Sequence, residues 1–240
     1  MPGVGAFFMT NLVISLTILA LILVLTMLIV SIAKFFKIRF HITVQFITKT
    51  AIFAAISVIL YVVPILNFPL PIFPSFLKIH LDEIPAFIAG FAYGPFSSFL
   101  ILAVKTLIKL PMTSTMGVGE LCDFIYSLCF VIPAAVIYKF HRNIKGAAIS
   151  LGIATVIQAF AASIITAFIM LDFYVLVMPG LNIEGLLKIC GLSELGWTFV
   201  WYIGMPFNLL KDAMVVFVVF ILYKRLHKLI DRISFKIRTK

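Results

Sequence analysis

Charge is what this sequence has least of. Only 12% of its 240 residues are Asp, Glu, Lys or Arg, and only nine are acidic, where soluble domains carry about 25% charged residues. Apolar residues make up 63%, against about 45–50% in an ordinary globule. A chain this short cannot hide so much apolar surface in its own interior, so its solvent is lipid. Cysteine is scarce as well. Cys122, Cys129 and Cys190 form no CxxC pair and no metal-ligand spacing, so neither redox nor metal chemistry is expected. Cys122 and Cys129 are seven apart, on one helix face, where an apolar thiol packs. No Walker A, HExxH, GxSxG or GxGxxG motif occurs, so nothing here cradles ATP phosphates or marks a familiar catalytic centre. The histidines (His41, His80, His141, His227) are scattered, and the chain does not read as an enzyme.

What charge there is has a pattern. Of 19 Lys and Arg, fourteen fall within residues 34–49, 139–145 and 224–240, while eight of the nine acids lie elsewhere. These basic stretches sit at the ends of apolar runs, as cytoplasmic loops do under the positive-inside rule. The net charge of +10 therefore reports topology and contact with anionic lipid, not nucleic acid.

The apolar runs predict seven spans, at residues 8–33, 50–66, 84–93, 96–110, 120–138, 147–171 and 197–223. The first lacks the basic flank and short core of a signal peptide, so it reads as a retained helix with its N-terminus outside. A basic amphipathic linker comes next, at residues 34–49. Residues 67–74, with Pro69, Pro71 and Pro74, must be extended. Residues 111–119 read as a polar loop and residues 172–196 as a mixed one. The tail ends inside.

Polar residues within the spans are costly and so informative. Lys105 and Lys109 lie one turn apart, facing Glu120 and Asp123 at the start of the next helix; structural ion pairing and ligand contact both remain open. Asn208 and Lys211 share a face at i and i+3. They could read the edge of a planar imide-like heterocycle, or serve as a helix-kink cap and an ion-pair partner. Small residues at four-residue spacing, Ala51/Ala55 and Ala86/Gly90/Gly94, allow close helix approach.

An ordered set of segments adds to this: FPSFLKIHLDEIP at 73–85, GP at 94–95, GVGEL at 117–121, IYK at 137–139 and PFNLLK at 206–211. Over about residues 45–225 the chain resembles the riboflavin-type S components of energy-coupling factor (ECF) transporters. The resemblance implies an all-α integral membrane protein, a six-helix S-component bundle plus one extra N-terminal transmembrane helix. Residues 1–33 would form that helix, and residues 34–240 the S-component membrane domain with its basic cytoplasmic tail. It implies capture of riboflavin as transported ligand, with no cofactor, and docking on a transmembrane coupling subunit and two cytoplasmic ATPases. Asn208 and Lys211 would meet the polar edge of the flavin ring. Lys78 and Asp172 would close the pocket and meet the ribityl hydroxyls, and Ala51 and Ala55 would face the coupling subunit. The chain departs from the family pattern at Asp172 and Asp123, where Asn is expected, at Thr106 after Lys105, and in its extra helix. An S component for another vitamin is the nearest rival. A self-sufficient carrier would carry inverted repeats, which the sequence does not display.

Overall fold

The computed structural model describes residues 43–113, 117–177 and 182–238. The expected span at residues 8–33 lies outside them. Proline and glycine punctuate the helices. α1 (Val44–Val62) runs to Pro64, which opens a single 3-10 turn instead of continuing the helix. The start at Val44 is earlier than the expected residue 50, because residues 44–49 contain no helix breaker. The proline-rich segment is extended and closes on itself as a two-residue antiparallel ladder, β1 (Phe68–Pro69) against β2 (Lys78–Ile79), with Phe68 opposite Ile79.

α2 (Glu83–Tyr93) ends at Gly94, whose φ of +98° suits glycine, and Pro95 opens α3 (Pro95–Lys109). α4 (Val118–Phe140) is followed by α5 (Ile144–Ile165), capped by Asn143, whose side chain accepts from the Gly146 amide at 2.7 Å. α5 passes through a π-helical turn (Thr166–Met170) into α6 (Leu171–Val177). A short helix, α7 (Ile183–Cys190), precedes α8 (Trp197–Phe199). A second π-helical turn (Val200–Gly204) then leads into α9 (Met205–Arg238).

Residues 172–196 are thus not the mixed loop expected. Nothing breaks the helix between Leu171 and Val177, and α7 carries its own stop signals. Asn182 accepts from the Gly185 amide at its start, and Gly191 takes a left-handed conformation at its end.

Five helical segments are long and apolar enough to cross a bilayer: Val44–Val62, Pro95–Met112, Val118–Phe140, Ile144–Val175 and Trp197–Leu226. They correspond to five of the expected spans. α2 matches the expected short span at residues 84–93 in position, but its eleven residues make a helix of about 16 Å where the hydrocarbon core is about 30 Å. It tolerates this because every residue from Glu83 to Ala92 is buried by neighbouring helices. Gly90 shows how closely: a Cβ there would collide with Ser98 Oγ and lie 3.0 Å from Ala135 Cβ. Ala86 and Gly90 therefore pack internally, with Ser98 Oγ donating to the Ala86 carbonyl at 2.8 Å.

The bundle buries a set of polar and ionisable side chains among a larger apolar core and exposes apolar side chains outside. Ser57, Asp82, Glu83, Lys105, Ser127, Gln158 and Asp212 are buried, whereas Ile52, Ile56, Ile149, Val156 and Phe217 are exposed. Exposed apolar side chains with ionisable ones turned to the interior fit a lipid solvent.

Candidate ligand-binding site

The sequence places few ions in the spans, and the fold gathers them. α9 brings Lys211 to Glu83 of α2, Nζ to Oε1 3.3 Å. Ser127 of α4 donates to the same oxygen at 3.2 Å and accepts from Lys105 of α3 at 3.0 Å. Lys105 in turn pairs with Asp82 and, at 3.3 Å, with Asp123 of α4. His80 bridges the two aspartates, Nδ1 to Asp82 at 2.5 Å and Nε2 to Asp123 at 3.1 Å. Burial alone favours a neutral imidazole, but the flanking Asp123 and Asp82 carboxylates outweigh it and push His80 up to about 10.

Donor atoms of His80, Asp82 and Glu83 lie within 4.8 Å of one another, close enough to share a metal. Lys105 and Lys211 already engage the two carboxylates, so protein cations neutralise the cluster. Asp212, beside Lys211 and fully buried, is the exception: neither carboxylate oxygen has a hydrogen-bond partner among the described residues.

Of the expected pairing between neighbouring helices, Lys105 and Asp123 do meet. Lys109 instead lies 5.6 Å over the Tyr61 ring, and Glu120 accepts from Thr113 Oγ1 at 2.6 Å. Asp82, Glu83 and His80 were not singled out from the sequence. The available signal was two adjacent acids opening an apolar helix, which lipid tolerates only with partners.

Asn208 occupies a second, uncharged knot. Its Nδ2 donates to the Gly204 carbonyl at 2.9 Å and to Ser163 Oγ at 3.3 Å, and its Oδ1 accepts from Gln158 Nε2 at 3.4 Å. Gly204 closes the second π-helical turn, a device that loosens helix carbonyls and recurs at functional sites. A Cβ at Gly204 would lie 2.8 Å from Ser163 Cβ, so glycine is what lets the second π-helical turn touch α5 here. Asn208 and Lys211 are both buried on α9.

Next to Asn208 lies an apolar cluster. Tyr126, Met170, Tyr174, Phe199, Val200 and Ile203 pack together, and Phe73, Phe76 and Leu77 of the proline-rich segment pack onto them. Both π-helical turns contribute: Ala167 and Met170 from one, Val200 and Ile203 from the other. Phe73 stands edge-on to Phe207 at 5.3 Å, and Phe207 directly precedes Asn208. Tyr126 shares a hydrogen bond with Thr166 Oγ1 at 2.9 Å. An aromatic cluster beside a buried amide suits a flat, mostly apolar ligand with one polar edge.

The other sequence-predicted residues lie apart from this network. Lys78 is exposed on β2 opposite Pro69, and Asp172 is exposed on α6, two residues before the buried Tyr174. Ala51 and Ala55 are exposed on α1, while Thr50, Ala54, Ser57 and Tyr61 form its buried face.

Comparison with known proteins agrees with this architecture. Residues 45–223 match the family model described as ECF transporter, substrate-specific component. The chain is 28% identical to the riboflavin transporter RibU of Staphylococcus aureus (strain TCH60), over 74% of this chain and 89% of that protein. It is also 28% identical to the riboflavin transporter FmnP of Bacillus subtilis (strain 168), over 78% of this chain and 95% of that one. A solved structure, the S component of a bacterial ECF transporter, superposes with a TM-score of 0.61 at 25% identity, covering 77% of this chain and 96% of that one. With ion pairs buried in its bundle and five apolar spans, the chain belongs to the substrate-specific components of ECF transporters, a multi-pass membrane protein family.

Proposed function

We propose that this protein captures riboflavin in the outer half of the bundle, as the substrate-binding subunit of an ECF transporter. Asn208 and Lys211 read the pyrimidine edge of the isoalloxazine ring. The observation that carries this is the burial of both residues on one helix, with an aromatic cluster next to Asn208. Two relatives named as riboflavin transporters, matched over most of their length, support the choice of vitamin.

The ring is large and flat, so burial against Tyr126, Tyr174, Phe76 and Phe199 supplies most of the affinity. Its pyrimidine edge presents two carbonyls and one N–H. Lys211 has three N–H groups, so bonding to Glu83 leaves others for a ligand carbonyl. Asn208 Oδ1 accepts the N–H. Lys78 and Asp172, exposed on elements bordering the cluster, meet the ribityl hydroxyls.

Energy comes from partners, since the chain has no Walker A sequence. A transmembrane coupling subunit docks on the Ala51/Ala55 face and transmits the work of two cytoplasmic ATPases.

Quenching of riboflavin fluorescence by the purified protein tests the site. Leaving a polar edge unpaired costs about 1–3 kcal/mol, so Asn208→Leu and Lys211→Met should each weaken binding roughly ten- to a hundredfold. Lys109→Met should matter less. Unchanged titrations for both Asn208→Leu and Lys211→Met would move the pocket elsewhere.

A further inference from the structure

A count of donors and acceptors around Asn208 points to a third reader of the ligand edge, an inference that rests on the riboflavin reading. Two carbonyls and one N–H require two donors and one acceptor from the protein. Lys211 supplies one donor. Asn208 supplies the acceptor, Oδ1, but both hydrogens of its Nδ2 are already committed, to the Gly204 carbonyl and to Ser163 Oγ. The second ligand carbonyl is left without a donor.

Gln158 of α5 has what is missing. It is fully buried, its Nε2 reaches Asn208 Oδ1 at 3.4 Å, and that is its one side-chain hydrogen bond among the described residues. Its Oε1 has no partner among them. One turn away on either side, Ala154 and Ala162 are buried alanines that offer it nothing polar. A buried amide left this idle costs free energy for no gain in the fold, and such groups in native structures have a reason. We infer that Gln158 completes the recognition of the flavin's pyrimidine edge, its second amide N–H donating to the ring carbonyl that Lys211 does not reach. The three side chains then present two donors and one acceptor to the edge, a pattern that selects an imide over a ring with a single carbonyl.

The test is fluorescence titration of the purified full-length protein with riboflavin and with lumiflavin, which keeps the ring but lacks the ribityl chain. Gln158→Leu should weaken both ligands about tenfold. Gln158→Met keeps the length but carries no donor; it should weaken both about as much, and it decides the matter if the leucine variant does not fold. Wild-type binding by the folded variants, with Asn208→Leu and Lys211→Met still impaired, overturns the role of Gln158 and leaves the riboflavin site standing. Loss confined to riboflavin, with lumiflavin unaffected, places Gln158 on the ribityl chain and also overturns it. If the wild-type protein binds neither flavin, the riboflavin reading falls and this inference with it.

Discussion

Lys211 Nζ on the last helix stands 3.3 Å from Glu83 Oε1 at the first residue of α2, joining positions 128 residues apart inside the bundle. The pair ties the proposed ligand-reading lysine to the charged core. Removing either partner strands the other charge, which typically costs about 3–5 kcal/mol for a buried pair.

Glu83→Gln and Lys211→Met should therefore each lower the melting temperature in detergent by roughly 10 °C. The double variant should be less destabilised than the sum of the two, because no stranded ion remains. Strictly additive losses would mean the pair is not coupled.

His80 gives the core a pH dependence. Both ring nitrogens face carboxylates, so the ring donates twice and is held as imidazolium, its pKa raised from 6.5 to about 10. A raised folded-state pKa contributes stability that is fully present below about pH 6.5 and lost as pH rises through about 10. His80→Gln should melt several degrees below wild type at pH 6 to 7, and the gap should close towards pH 10 to 11. Melting curves of both proteins across that range decide it. A gap that stays constant with pH refutes a charged His80.

Close helix contact predicts a different kind of defect at Ala51 and Ala55. Both are exposed on α1, so Ala51→Leu or Ala55→Phe should leave the inside of the bundle undisturbed and block the proposed partner helix. Riboflavin binding by the purified subunit should be unchanged, while uptake by cells carrying the whole transporter should be lost. Loss of binding or of folding in the isolated variant would make the face internal.

At Gly90 the clash is within the protein. A Cβ would collide with Ser98 Oγ, so Gly90→Ala should destabilise by about 1–3 kcal/mol. Adding Ser98→Ala removes that oxygen and should recover part of the loss, although Ala135 Cβ at 3.0 Å still crowds the site. Thermal melts of the single and double variants measure the recovery, and no recovery would locate the strain at Ala135.

Reading the sequence worked where lipid imposes the rule. Five spans were visible because the bilayer demands long apolar runs. Lys105–Asp123 was visible because consecutive helices meet at a shared depth. Asn208 and Lys211 shared a face by spacing alone. Glu83–Lys211 and Gln158–Asn208 were not visible, since each depends on how far non-consecutive helices rotate and slide against one another, which no local spacing encodes. α7 was missed for another reason. Its caps at Asn182 and Gly191 were present in the sequence, but eight residues between them gave too few turns for an apolar periodicity to stand out.

The short buried helix has a consequence for how the protein is made. Eleven residues with Asp82 and Glu83 at their start are too short and too charged to leave the insertion machinery for lipid unaided. α2 must therefore enter the bilayer together with its neighbours. Lys105 arrives soon after, but the cation that faces Glu83 is synthesised 128 residues later, on the final span. Until α9 is delivered, the nascent bundle lacks the ammonium that bonds Glu83 directly, so the last helix inserted is the one that completes the polar network.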